Sequence, residues 1–303
     1  AAVGTSTPIM NIAILLISGM CMGASVLMSS QYGAKDYDTL SRQISTTMLA
    51  GCGFSVVFSL LMLILATPVL KLIRVPETAI PEAAAYLRII FLGLIFTFMY
   101  NFLANTMRAL GDSKTPLYFL VTSAFLNIFG DLFFVVVLRW GVAGSAIATV
   151  CSEGLCCLLC GIYIKKKIPL LCLGKKWWVF DKSLLGKTVS YGSTSAMQQV
   201  CLQLGKLIIQ CVVNTQGVAV MAAFTAVNRV DDFAYTPQQN IGHAMTTFLA
   251  QNKGAGHKER MKKGFQTGLL IELVYSVGLF CVIWGLAPQI MTLFAKDGDA
   301  QVV

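Results

Sequence analysis

The chain has 303 residues, of which 56% are apolar and only 12% are charged, with a mean hydropathy of +0.72. A soluble domain carries about twice that charge fraction, so lipid is the main solvent implied. The net charge of +9 would also suit a nucleic-acid surface, and the placement of the 23 Lys and Arg decides between the two.

Long apolar stretches predict eight spanning helices, over 7–31, 44–70, 83–105, 116–138, 142–164, 188–213, 217–250 and 264–294. Each reaches the roughly 20 residues that cross a bilayer. Barrel strands would alternate in segments of about ten residues, whereas these runs are continuous. If the first span enters from outside, the connectors on the inner side hold sixteen of the basic residues, among them Lys35, Arg42, Arg108, Lys165, Lys175, Lys176, Lys187, Lys258 and Lys263. The outer side holds Lys71, Arg74, Arg88, Arg139 and Lys296, while Lys206 and Arg229 lie within spans. This excess follows the positive-inside rule, so the basic charge orients a membrane protein and no nucleic-acid partner is expected. The ten cysteines lie mostly in spans. Cys156, Cys157 and Cys160 share one helix, but no His or second Cys pair completes a metal site, and they read as small packing residues.

The sequence also repeats. An offset of 221 residues lays Ala13 on Ala234 and Gly33-Ala34 on Gly254-Ala255, and superposes the connectors SSQYGAKDYDTLSRQ and AQNKGAGHKERMKKG. The first span is then the counterpart of the seventh and the second of the eighth. The sixth has no partner, which predicts twelve spans in a complete protein, with one before residue 1 and three after residue 303. The expected fold is an all-α polytopic membrane protein of two pseudo-repeated bundles, truncated at both ends. Residues 1–164 would form the first bundle without its first helix, 165–187 a basic cytoplasmic linker, and 188–303 the second bundle without its last three helices.

QYGAKDY at 31–37, YLRIIFLG around Arg88, MRALGDSKTPLY at 107–118, GVAGSAIATV at 141–150 and QNKGAG at 251–256 resemble the multidrug and toxic compound extrusion (MATE) family. The resemblance covers essentially the whole chain, as spans two to nine of twelve in a DinF-like branch. It implies an antiporter of the cell membrane, the inner membrane in a bacterium, that exchanges H⁺ or Na⁺ for small amphipathic, often cationic compounds. A monomer in contact with membrane lipids, without a cofactor, is expected.

Ionisable groups inside spans are the natural site candidates. Asp131 and Asn127 stand four apart on the fourth span, which turns back into the fifth at Arg139-Trp140-Gly141. Counting from Trp140 puts Asp131 level with Thr149, each about 13 Å deep at 1.5 Å per residue, and Asn127 level with Glu153 one turn further in. A carboxylate there can load and release a proton, and oxygens of Asp131, Asn127 and Thr149 equally suit Na⁺. The resemblance implies the same three residues: an N-x-x-x-D pair and a threonine eighteen residues on line the cation site in the first bundle. A further carboxylate belongs to the first helix of the family, ahead of residue 1. Glu153 is read as a second rung of the hairpin.

In the seventh span Arg229 and Asp232 stand at i, i+3 and read as an internal ion pair, near a kink at Pro237. Lys206 is read as snorkelling to the outer interface. Where the NorM-like branch carries a glutamate, this chain has Leu202, which favours coupling through the first bundle. Glu272 and His243 read as polar groups satisfied between helices. The rival function is a lipid or lipid-linked oligosaccharide flippase of the same wider superfamily, but that cavity needs several basic residues and the spans hold only two. An enzyme is not expected, since HExxH, GxSxG and Walker patterns are all missing.

Overall fold

The computed structural model describes residues 2–72, 77, 80–167, 178–213 and 218–292. Arg74, Lys296, Lys175, Lys176 and the middle of the basic segment 165–187 fall outside them. Nine α-helices occupy the described residues: α1 (Ala2–Gly33), α2 (Tyr37–Leu72), α3 (Ile80–Leu92), α4 (Leu94–Ala109), α5 (Lys114–Asp131), α6 (Gly141–Lys167), α7 (Lys182–Val213), α8 (Val218–Gly254) and α9 (Lys258–Thr292). A π-helical turn, Leu132–Val137, continues α5. Each expected span therefore falls on helix. The third is a broken one, since α3 and α4 meet at Gly93 with a bend of 44°. By length and apolar composition six helices are able to cross a membrane, and seven if the bent pair counts as one. The exception among the expected spans is α8, into which Arg229, Asp231 and Asp232 are built.

The helix starts follow from local chemistry. Asp36 accepts the backbone N–H of Thr39 at 3.1 Å and Asp112 that of Thr115 at 3.1 Å, capping α2 and α5. The Thr39 hydroxyl, and then its N–H, hold the Asp36 carboxyl below the ordinary aspartate value. The repeat is visible atom by atom in the connectors. Between α1 and α2, Ala34 N donates to Ser30 O, Lys35 N to Tyr32 O and Asp36 N to Gln31 O. Between α8 and α9, Ala255 N donates to Gln251 O, Gly256 N to Lys253 O and His257 N to Asn252 O. Each residue of the second set is the first shifted by 221. Both connectors close a helix with the same 6→1 and 5→2 bonds around a left-handed residue, Lys35 (φ 57°) in one and Gly256 (φ 74°) in the other.

The chain divides into two compact units, Ala1–Ala196 and Met197–Val303. In the first, α1, α2, α3 and α4 pack around Ile17, Met28, Leu40, Leu70, Leu87, Phe91, Phe98, Phe102 and Met107, all buried. Glycines set the closest approaches. Gly51 makes room for the Phe98 ring, and Gly93, at the bend, for Val150 of α6.

The first turns of α7 belong to this unit. The segment leading into α7 lies along a polar stripe of α2: Val179 N donates to Ser45 Oγ at 3.1 Å and Asp181 N to Thr46 Oγ1 at 3.0 Å. Arg42 pairs with Asp181 at 2.6 Å, and the buried Gln43 Nε2 donates to Thr188 Oγ1 at 2.6 Å. At Gly23 and Gly192 the backbones of α1 and α7 nearly touch, and a Cβ on Gly23 would stand 2.3 Å from Gly192 N. That atom is backbone and has nowhere to go. Gly23→Ala should therefore cost about 1–3 kcal/mol or more of stability, whereas Gly53→Ala, which faces open space, should be tolerated; thermal unfolding in detergent distinguishes them.

Candidate functional site

The hairpin of α5 and α6 carries the expected acid. Its turn is tight: Arg139 (φ 56°) and Gly141 (φ 57°) both adopt left-handed backbone, and Trp140 N bonds back to Phe134 O at 3.0 Å. Gly144 packs on the Phe134 backbone and Gly130 on Ala148, so the two helices run in close contact.

The rungs differ from the expected ones. Asn127 Nδ2 donates to Thr149 Oγ1 at 3.2 Å, so Asn127, not Asp131, is the direct partner of Thr149. The π-helical turn accounts for the shift, because i→i+5 bonding, as in Leu138 N to Phe133 O, winds extra residues into the descent and slides α5 against α6. Counting at a uniform 1.5 Å per residue does not register this. Thr149 also donates to Ser145 O at 3.1 Å.

Glu153 leaves the hairpin altogether, its carboxylate accepting from the Thr97 hydroxyl of α4. The expected second rung with Asn127 is thus replaced by a contact to another helix. Thr97 was not singled out in the sequence, since a lone threonine in an apolar span carries no signal of its own.

Asp131 ends α5 one turn beyond Asn127. Its Oδ1 is fully buried and accepts no hydrogen bond among the described residues. Tyr86 of α3, 6% exposed, packs with Ile90 and Ala146 and lies within electrostatic reach of that carboxylate. An acid, an amide and a hydroxyl are brought together within two turns of one hairpin. They offer only oxygen acceptors and amide or hydroxyl donors, with no fixed cation as counter-charge.

The second unit departs further from expectation. Asp232 pairs with Lys206 of α7, Nζ to Oδ1 at 3.0 Å, and the same ammonium meets Asp231 Oδ2 at 3.1 Å. No ion pair joins Arg229 to Asp232 among the described residues, which corrects the i, i+3 reading. Lys206 does not snorkel either: two carboxylates within reach of its stem outweigh a distant interface. Glu272 has one oxygen buried without a hydrogen-bond partner among the described residues, so it is not a satisfied group. Its neighbour Tyr275 donates to Ala234 O at 2.8 Å.

Long apolar helices in series, with acids set deep among them, define a multi-pass membrane transporter. The MatE family profile matches residues 1–133 and 195–303, and the chain belongs to that family. It is 30% identical over 303 residues to "Probable multidrug resistance protein YpnP" of Bacillus subtilis, covering 99% of this chain and 67% of that protein. It is 30% identical to "Probable multidrug resistance protein YoeA" of the same organism, covering 99% and 66%. The chain thus spans about two thirds of the length of the curated relatives it matches. Among solved structures, "Crystal structure of MATE in complex with MaD5" superposes with a TM-score of 0.90 at 22% identity, covering 97% of this chain and 67% of that one. An outward-facing multidrug resistance MATE family transporter superposes at 0.89 with 21% identity, covering 99% and 67%. These likenesses establish the fold.

The Glu153 contact is open to direct test. Thr97→Val strands a membrane-buried carboxylate and should lower stability by about 1–3 kcal/mol, while Thr97→Val with Glu153→Leu, which removes both partners, should recover most of the loss. Thermal unfolding of the four proteins in detergent checks the cycle.

Proposed function

We propose that this chain forms the greater part of a secondary active multidrug efflux antiporter, exchanging H⁺ or Na⁺ for small amphipathic organic compounds, often cationic, by alternating access. The observation that carries this reading is the buried, unpartnered Oδ1 of Asp131 beside the Asn127–Thr149 hydrogen bond. A carboxylate held in hydrocarbon without a fixed counter-charge is costly until a proton or a cation joins it. The neighbouring oxygens of Asn127 and Thr149 complete a set of hard ligands suited to Na⁺ as well as to H⁺. The names of the curated relatives, multidrug resistance proteins, support export of foreign organic compounds. The connectors that share their hydrogen bonds across 221 residues support two repeated halves moving about one pathway.

Dye efflux from vesicles bearing the protein as encoded by its native gene, energised separately by a proton gradient and by a sodium gradient, tests the reading. Efflux responds to at least one of them, and a response to neither favours the flippase. Asp131→Asn abolishes ion-driven efflux and leaves membrane insertion intact. Unchanged efflux in that variant removes Asp131 from the coupling site.

A further inference from the structure

Glu153 is an acid of the first unit that the coupling site around Asp131 does not use. It stands twelve residues from Gly141 and fourteen from Lys167, the two ends of α6, so about 20 Å of helix lies on either side of it at 1.5 Å per residue. That helix is long and apolar enough to cross a membrane. The Glu153 carboxylate is partly buried and accepts the Thr97 hydroxyl of α4, which is its only hydrogen-bond or ion-pair partner among the described residues.

No fixed cation answers this charge. The elements packed on α6 are α3, α4, α5 and the π-helical turn. On α3, Tyr86 lies toward Asp131, Arg88 donates to Thr67 Oγ1 at 3.3 Å, and Glu82 is exposed. On α4, Tyr100 is within electrostatic reach of Glu153 but donates to the Pro116 carbonyl at 3.3 Å, and Arg108 stands eleven residues, about 17 Å of helix, beyond Thr97. The charged residues of α5 are Lys114, in its first turn, and Asp131, whose charge has the same sign as that of Glu153. The turn LFFVVV carries none. On α6 itself the Cys156 thiol is within electrostatic reach and donates to the Phe119 carbonyl at 3.2 Å, while Lys165, Lys166 and Lys167 lie in the last turn.

The Thr97 bond also sits at the break of the third span. The carbonyl four residues before Thr97 is that of Gly93, where α3 and α4 meet with a bend of 44°. It accepts the N–H of Phe96 at 2.8 Å and that of Thr97 at 3.3 Å, and the second is a long bond. Thr106 of the same helix donates to the carbonyl four residues back, whereas the Thr97 hydroxyl crosses to Glu153. Beside it Gly93 lies against α6, and a Cβ there would stand 2.4 Å from Val150 Cγ2. One turn of α6, from Val150 to Glu153, thus grips one turn of the third span, from Gly93 to Thr97. Tyr86, two turns before the bend, lies within reach of Asp131. The two arms of the broken span therefore meet two different acids.

From this arrangement we infer that Glu153 is a second proton-binding site of the first unit, whose charge sets the grip of α6 on the bend at Gly93. A proton from water adds to one Oε of Glu153 and converts the carboxylate to the neutral acid, and no bond between heavy atoms forms or breaks. A hydrogen bond to a carboxylate is about twice as strong as one between neutral groups, so protonation weakens the Thr97 contact and releases the hydroxyl to the Gly93 carbonyl. A metal cation is a poorer occupant. Hard cations take about six oxygens, whereas Glu153 has one hydroxyl beside it, and the Thr97 carbonyl already accepts Asn101 Nδ2 at 2.8 Å. The inference goes beyond the antiport reading and does not need it. Protonation is read without gradient or substrate, so failure at Glu153 and failure of antiport are observed separately.

Infrared difference spectra of the purified protein, as encoded by its native gene, taken between alkaline and acid pH, follow carboxylic acids by their C=O stretch. Acidification of the wild-type protein should bring up an acid band that Glu153→Gln lacks and Asp131→Asn retains; surface acids cancel in the comparison. Thr97→Val, which removes the donor that favours the ionised form, should titrate the same band at higher pH. If Glu153→Gln does not fold, Glu153→Asp keeps an acid at the position and should move the band instead of removing it. A pH-dependent acid signal that is the same in the wild-type protein and in the Glu153 variants would mean a purely structural group and would overturn the proposal. An unchanged midpoint in Thr97→Val would overturn the link to the bend.

Discussion

Hydrocarbon offers no water, so each polar group in a span has to be answered by another group of the protein. Most of this chain's polar residues solve the problem within their own helix. Ser29, Thr106, Thr122, Thr194 and Thr246 donate to the carbonyl four residues back, and Asn101, Asn105, Asn240 and Asn252 do the same through their amides. Such groups cost the helix little, and apart from Thr106, whose hydroxyl also meets Met28 Sδ at 3.7 Å, none of the side chains named hydrogen-bonds to another helix among the described residues. The exceptions reach across: Gln43 to Thr188, Ser59 to the Phe91 carbonyl, Thr97 to Glu153, Asn127 to Thr149, Lys206 to the two aspartates. A hydroxyl can serve both demands, since Thr149 and Thr188 donate to carbonyls of their own helices while accepting from Asn127 and Gln43. A carboxylate such as Glu153 has no proton to donate to a carbonyl and must find a donor elsewhere. The candidate sites are found among those few contacts.

Much of this organisation is legible in the sequence, because the signals involved are local or additive. Twenty apolar residues make a span wherever they occur, and the departures from the expected spans are the break at Gly93 and α8, whose charged residues keep it from the helices apolar enough to cross. The repeat could be read from a handful of identities because connectors are constrained by backbone geometry. The left-handed position is filled by Lys35 in one connector and Gly256 in the other, and the hydrogen bonds are nonetheless the same. Asp131 was identifiable because charge in a span is rare enough to stand out unaided.

The contacts that escaped sequence reading are those set by register between helices. A count from Trp140 assumes a uniform rise, and one π-helical turn between Leu132 and Val137 was enough to move Thr149 from Asp131 to Asn127. Nothing in LFFVVV announces that turn. Arg229 and Asp232, three residues apart, looked like partners because only their own helix was in view. The ammonium that pairs with Asp232 comes from another helix, 26 residues earlier in the chain. Lys206 was misread for the same reason: the outer interface could be counted in residues, and the carboxylates on α8 could not.

The two units answer the charges on their helices in different ways: Asp131 has a buried carboxylate oxygen, whereas Lys206, Asp231 and Asp232 are exposed. Asp131 stands one turn from the Asn127–Thr149 hydrogen bond and within electrostatic reach of Tyr86, all neutral groups, so on the antiport reading its counter-charge arrives from outside the protein and leaves again. The aspartates of α8 meet a cation that is covalently tethered through Lys206 and cannot leave. A site whose partner departs can carry an ion across, on the antiport reading.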